Sequence, residues 1–199
     1  DEKEEFKTIN GKQVGVSSAL QAYLGDKWED SVAWEVNTRE DSPFHQKISN
    51  TNMKPDQLFM LHSFGKNVKR VFANGAFEHL SDEEIKTDIV IKFWNCIKKS
   101  NPKEWEDINM GKRSLFTYKL LELTGNIAWS IVAPQILLKG FAPATSSFNW
   151  DTIQEVVDFV SEDIDWDKKE GDFAHITGEV GGKLIAKRLE KVLSCYGQE

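Results

Sequence analysis

The chain has 199 residues, with 32 acidic and 25 basic side chains and a formal net charge of −7. That length fits one domain or one and a half, and a 40% hydrophobic content with seven Trp can fill a core, which excludes intrinsic disorder. Thirteen Gly and five Pro are too few for a collagen-like or low-complexity chain, and no apolar run reaches the ~18 to 20 residues of a membrane span.

The first 50 residues read as a short mixed segment. Phe6 and Ile9 lie in a strand or a helix end broken by Gly11 and Gly15, and Ser17 or Ser18 caps a short helix that stops at Gly25. Trp28, Val32, Ala33 and Val36 predict a second helix, ended by Asp41, Ser42 and Pro43, with Phe44 to Ile48 extended. From about residue 54 the helical period dominates. Pro55 is placed in a first turn, followed by Leu58, Leu61, Phe64, Val68 and Phe72. Ser81 and Glu84 form a capping box for a helix carrying Ile85, Ile89, Phe93 and Ile97, with Val90 and Trp94 widening the stripe.

Leu115, Leu120, Leu123, Ile127 and Ile131 predict a long central helix, apolar on more than one face. A loop over 140–149 and a helix with Ile153, Val156, Val157, Val160 and Ile164 follow. Asp163, Asp165, Asp167, Glu170 and Asp172 read as a solvated acidic rim, and Thr177 caps a last helix with Leu184, Ile185, Leu189, Val192 and Leu193 inward. The fold class is therefore mainly α. It is a bundle of about five main helices over residues 51–199, behind a mixed segment over 1–50, with Phe93, Trp94, Leu120, Ile127 and Leu189 buried.

Little in the sequence points to catalysis. The four His and two Cys lack metal-ligand spacing, so neither a metal nor a cofactor is expected. The run from Thr177 to Leu184 resembles a phosphate loop but lacks its first Gly and the hydroxyl after Lys183, so Gly181 and Gly182 read better as close helix packing. No nucleophile–base motif is present. The isolated chain is expected neither to hydrolyse nucleotides nor to cut DNA. Cys96 and Cys195 form no disulfide framework, which suggests a cytoplasmic location.

Basic clusters stand out against the acidic total. Lys183, Lys187 and Lys191 recur every four residues beside Arg188; Lys98, Lys99 and Lys103 form another group. They read either as ordinary solvated helix faces or as phosphate-contacting surfaces.

Four stretches in order carry a resemblance. Phe6, Ile9, Asn10, Gln13, Val16, Ser17 and Leu20 match F-x-x-I-N-x-x-Q-x-x-V-S-x-x-L. Asp41, Ser42, Pro43, Phe44, Lys47 and Ile48 match D-S-P-F-x-x-K-I. Trp94, Asn95 and Lys98, then Pro102 and Trp105, match W-N-x-x-K and P-x-x-W. Leu120, Thr124, Gly125 and Ala128 follow L-x-K-T-T-G-x-x-A, from which Glu122 and Leu123 depart. Together these resemble the DGQHR-domain family, which includes the regulator of bacterial DNA phosphorothioation (the Dnd system) and relatives in DNA-modification and phage-defence loci.

The Asp-Gly-Gln-His-Arg signature itself does not occur in these residues. The resemblance thus implies a C-terminal portion: the end of a ParB-like signature domain over 1–50, then a helical domain. It implies a DNA-binding or regulatory module, with Asn10 and Gln13 adjacent to the family's site. DNA, the upstream part of the same protein or a partner chain, and a second copy of the chain are the partners it suggests. A membrane is not. The alternatives are the non-catalytic half of a nuclease or nucleotide hydrolase, and a helical oligomerisation module.

Overall fold

A computed structural model describes residues 27–198. Its architecture is mainly α, as the hydrophobic periods predict. Helix α1 covers Trp28–Thr38. Two short strands, β1 (Ile48–Ser49) and β2 (Phe59–Met60), pair in parallel, with Ile48 opposite Phe59. Then come α2 (Leu61–Val71), α3 (Glu83–Ser100), the single turn α4 (Pro102–Trp105) and α5 (Leu123–Gly140). Strands β3 (Phe141–Ala142) and β4 (Ser147–Phe148) form a small antiparallel hairpin before α6 (Trp150–Glu162) and α7 (Gly178–Leu193).

Helix α5 is the axis of the bundle, packed against α2, α6 and α7, while α1 lies on α2 and α3, and α3 on α6. Its sequence is apolar all round, so every face can be covered. Ala128, Trp129, Val132, Ala133, Ile136 and Leu137 are fully buried. The approach of α7 is close because Gly182 has no side chain: a Cβ there would stand 2.6 Å from Ile127 Cγ2 and 3.1 Å from the Thr124 carbonyl. All five residues expected in the core are buried. Val32, Ala33, Val36, Phe44 and Ile48 share that same core, so the chain on both sides of residue 50 packs into one hydrophobic cluster. Phe6, Ile9, Leu20 and the helix read after Ser17 lie outside the described residues.

Several local expectations are corrected. Pro55 sits in a turn, and α2 starts only at Leu61, because Leu58 N–H donates to the Lys47 carbonyl (2.7 Å) and holds the chain beside β1. Of the stretch expected to be extended, Phe44 to Gln46 form a turn and Ile48 is in β1, and the expected loop over 140–149 contains the β3–β4 hairpin. The cap of α3 is Asp82, whose Oδ1 accepts from Glu84 N–H (2.8 Å) and Ile85 N–H (3.3 Å), so Ser81 is not the cap. Ile85, in the unpacked first turn, is 48% exposed.

The central helix begins at Leu123 rather than near Leu115. The preceding segment is captured by other partners: the Asp107 carboxylate accepts from the Thr117 and Tyr118 N–H groups (3.0 and 2.7 Å), and Lys119 N–H donates to the Trp166 carbonyl (2.9 Å). Leu115 is left exposed in a 3₁₀ turn. Leu184 also points outward, because the inner face of α7 is already filled by Gly181, Ile185, Leu189 and Val192. Thr177 occupies the N-cap position of α7 without a capping hydrogen bond from its side chain.

Candidate nucleic-acid interface

Helix α3 supplies the scaffold. Ile89, Phe93, Trp94 and Ile97 turn into the core, which leaves Lys92, Asn95, Lys98 and Lys99 on the outer surface. Asn101 stops the helix: its side-chain N–H₂ donates to the Ile97 carbonyl (2.9 Å) and to Ser161 Oγ (3.0 Å), and Pro102 then opens α4. Lys98 and Lys99 lie in the last turn, where the unpaired carbonyls of the helix end favour cations.

The turn after α1 forms the opposite wall. Ser42 Oγ accepts from Phe44 N–H (3.1 Å), and Asn37 holds both sides of the turn, its carbonyl accepting from Gln46 N–H and its Oδ1 from Ile48 N–H, each at 2.8 Å. This clamp keeps Gln46 at φ 57, a left-handed backbone that is uncommon outside glycine. Phe44 plugs the floor, edge-on to Phe59, Phe64 and Trp94 and tilted against Trp105. Arg39 ties the wall to α3, donating to both Asp41 oxygens (2.9 and 2.7 Å) and to Asp88. Its guanidinium holds the Asp41 carboxyl below the usual carboxylate range. Asn95 Nδ2 completes the tie at the Asp41 carbonyl (3.2 Å).

Between these walls runs an open groove of about 730 Å³. Ser42, Pro43 and His45 line one side, Asn95, Lys98 and Lys99 the other, and Pro102, Trp105, Glu106, Ile108 and Asn109 close the end. His45 Nδ1 lies 3.0 Å from the Arg39 carbonyl, an acceptor, so Nδ1 carries the proton of that bond. The groove offers two ammonium groups and one carboxylate on a rigid aromatic floor. Two of the four sequence stretches singled out above meet here: Asp41 to Ile48, and Trp94 to Lys98 with its continuation Pro102 to Trp105. The fourth lies around the start of α5, against α7. Asn10 and Gln13 fall outside the described residues.

The other candidate cations have different surroundings. Lys103 lies over the Tyr118 ring (5.3 Å to its centroid) rather than in the groove, and Tyr118 raises the lysine above its ordinary range. On α7, Lys183 is paired with Glu179 (3.2 Å) and Arg188 with Asp163 (2.7 Å). Lys187 and Lys191 are exposed, and Lys191 borders a shallow groove of about 490 Å³ whose charges are mixed: Glu162, Asp163 and Arg188. α3 packs on α1 and α6, and α7 on α5 and α6, so the two lysine groups belong to different packing surfaces. Gly181 and Gly182 are buried inside α7, with no space for a phosphate where Ile127 and Ile176 stand.

The acidic stretch folds around two aromatics. Trp166 and Phe173 are buried, whereas Asp163, Asp165, Glu170 and Asp172 face water. Asp167 Oδ1 accepts from the N–H groups of Lys169 (2.7 Å) and Glu170 (2.9 Å), bonds that lower its pKa, so its carboxylate is spent on a turn. Among the described residues, no three His, Cys, Asp or Glu side chains are grouped as metal ligands, and no helix is long and apolar enough to cross a membrane.

Sequence reading found Lys98 and Lys99 but missed His45 as a groove residue. The only available signal was its position directly after the Asp-Ser-Pro-Phe turn. Compared with models of known protein families, with curated proteins and with solved structures, the chain matches none.

Proposed function

We propose that this chain is a DNA-binding, regulatory module of a DNA-modification or phage-defence protein related to the DGQHR family, and that it holds a phosphate backbone in the groove along α3. One observation carries the reading: two stretches far apart in sequence, Asp41 to Ile48 and Trp94 to Trp105, each part of the family resemblance, converge on one groove edged by Lys98 and Lys99. Ammonium groups beside a preformed trough position a phosphate backbone without reading bases. Lys187 and Lys191 on α7 supply secondary contacts, while Lys183, Arg188 and Lys103 are engaged by Glu179, Asp163 and Tyr118.

With a net charge of −7, attraction to DNA is local and binding is steeply weakened by salt. The exposed carboxylates of Asp163 to Asp172 repel DNA from their own side and so orient it. Fluorescence anisotropy with labelled DNA across a salt series tests the proposal. Wild-type chain binds at low salt, and Lys98→Glu with Lys99→Glu weakens binding and flattens the slope of log affinity against log salt by about 2. Unchanged affinity and slope would sink it.

A second reading, the oligomerisation module, rests on Val180 (73% exposed) and Leu184 (49% exposed), which stand one turn apart on α7. Sedimentation velocity distinguishes it: self-association lost in Leu184→Glu with DNA binding absent supports that reading over the first.

A further inference from the structure

A second, shallower groove of about 350 Å³ lies on the other flank of the same ridge, between α3 and the start of α6. Asn95 and Lys99 border both grooves. Lys92, Cys96, Trp150 and Gln154 complete the second. We infer that this groove takes an unpaired nucleobase on the face of Trp150, so that the interface prefers single-stranded to duplex nucleic acid. The inference rests on the DNA-binding reading above and specifies its ligand.

The indole is held as a platform. Trp150 is the first residue of α6, fixed by Asn149, whose Oδ1 accepts from the N–H groups of Asp151 (3.1 Å) and Thr152 (3.2 Å). One side of the ring rests on Phe148, at 5.7 Å between centroids and 34° between planes, and Phe148 rests in turn on Phe77 and Phe141. The ring is nevertheless only half-buried, and Lys92 Nζ stands over it, 5.7 Å from its centroid, a flexible side chain that a stacking base would displace. Lys92 and Lys99 are two helical turns apart, about 10 Å along α3, and both border the trough.

The remaining walls are Cys96 and Gln154. Burial pushes the Cys96 thiol up to about 11, so it is a neutral apolar wall. The Asp158 carboxylate behind this wall accepts from Ser100 Oγ–H (2.5 Å) and Gln154 Nε2–H (2.8 Å). An aromatic face bordered by two lysines is the arrangement that stacks a base while its flanking phosphates are neutralised. Bases inside a duplex expose edges and not faces, so only an unpaired base can use it.

The test compares a labelled oligothymidylate with a duplex of equal length, using the full chain and two variants. Trp150→Leu keeps an apolar side chain and removes the π-face; Trp150→Phe keeps a π-face. Wild type is expected to bind the single strand about tenfold more tightly than the duplex. Trp150→Leu abolishes that preference, and Trp150→Phe retains most of it, with thermal melting by circular dichroism confirming that both variants fold. Equal wild-type affinities for the two ligands, an undiminished preference in Trp150→Leu, or equal loss in both variants overturns the inference while leaving duplex binding through Lys98 and Lys99 standing. Binding to neither ligand overturns the DNA reading as well.

Discussion

Helices α3 and α7 carry similar surface chemistry, and their surroundings give it different consequences. Each presents lysines at helical spacing and each is associated with one cysteine. On α3 the lysines edge grooves whose other walls come from distant parts of the chain: the 42–45 turn on one flank and Trp150 on the other. On α7 the cations alternate with Glu179, Glu190 and the facing Asp163, and two of the four are engaged in ion pairs. Cys96 is buried against α6, whereas Cys195, just past the end of α7, is exposed. Charge spacing along a helix is thus a weak guide to an interface; what stands opposite the charges decides whether a ligand has anywhere to sit.

The cysteines give the largest contrast. At about pH 8 a thiol with a pKa near 11 is ionised in about one part in a thousand, and Cys96 is also shielded. An aromatic disulfide reagent is expected to modify Cys195 at least about 100-fold faster than Cys96, a difference that vanishes in denaturant. Comparable rates in the folded chain would mean that the α3–α6 contact opens readily and that the second groove is no rigid platform.

The inner face of α7 comes next. Gly182→Ala forces a methyl into Ile127 on α5, an overpacking expected to cost about 2 kcal/mol despite the better helix propensity of Ala. Urea unfolding measures it, and a neutral result would show that α7 has room to shift, weakening the contrast with α3. The pH dependence of stability has a similar size. The native state raises the Cys96 pKa, so between about pH 9 and 11 the unfolded chain releases that proton first and stability falls as pH rises, by up to about 2 kcal/mol. Cys96→Ala removes that component, seen as a shallower decline of unfolding free energy across the same window.

The paired charge reversals bear on the comparison directly. Lys98→Glu with Lys99→Glu is expected to lower DNA affinity about tenfold at low salt, and Lys187→Glu with Lys191→Glu about twofold. The reverse order would transfer the interface to α7. Neither double variant should change stability by more than about 0.5 kcal/mol, since all four side chains are exposed.

The mainly helical class, the five principal helices and the burial of Phe93, Trp94, Leu120, Ile127 and Leu189 follow from hydrophobic period alone, because a 3.6-residue stripe has only one way to leave water. Tight packing at Gly182 and the outward acids of 163–172 were legible for the same local reasons. Helix starts were not. Asp82 displaced Ser81 as a cap, and Asp107 and Trp166 drew Thr117 to Lys119 out of the helix that their apolar neighbours predicted. Those contests are settled by hydrogen-bond partners remote in sequence, which a local pattern does not contain. The two grooves belong to the same class. Lys98 and Lys99 were visible as charges, but His45 and Trp150 became their neighbours only when the 42–45 turn, α3 and α6 packed together, because a groove is a relation between elements and not a property of any one of them.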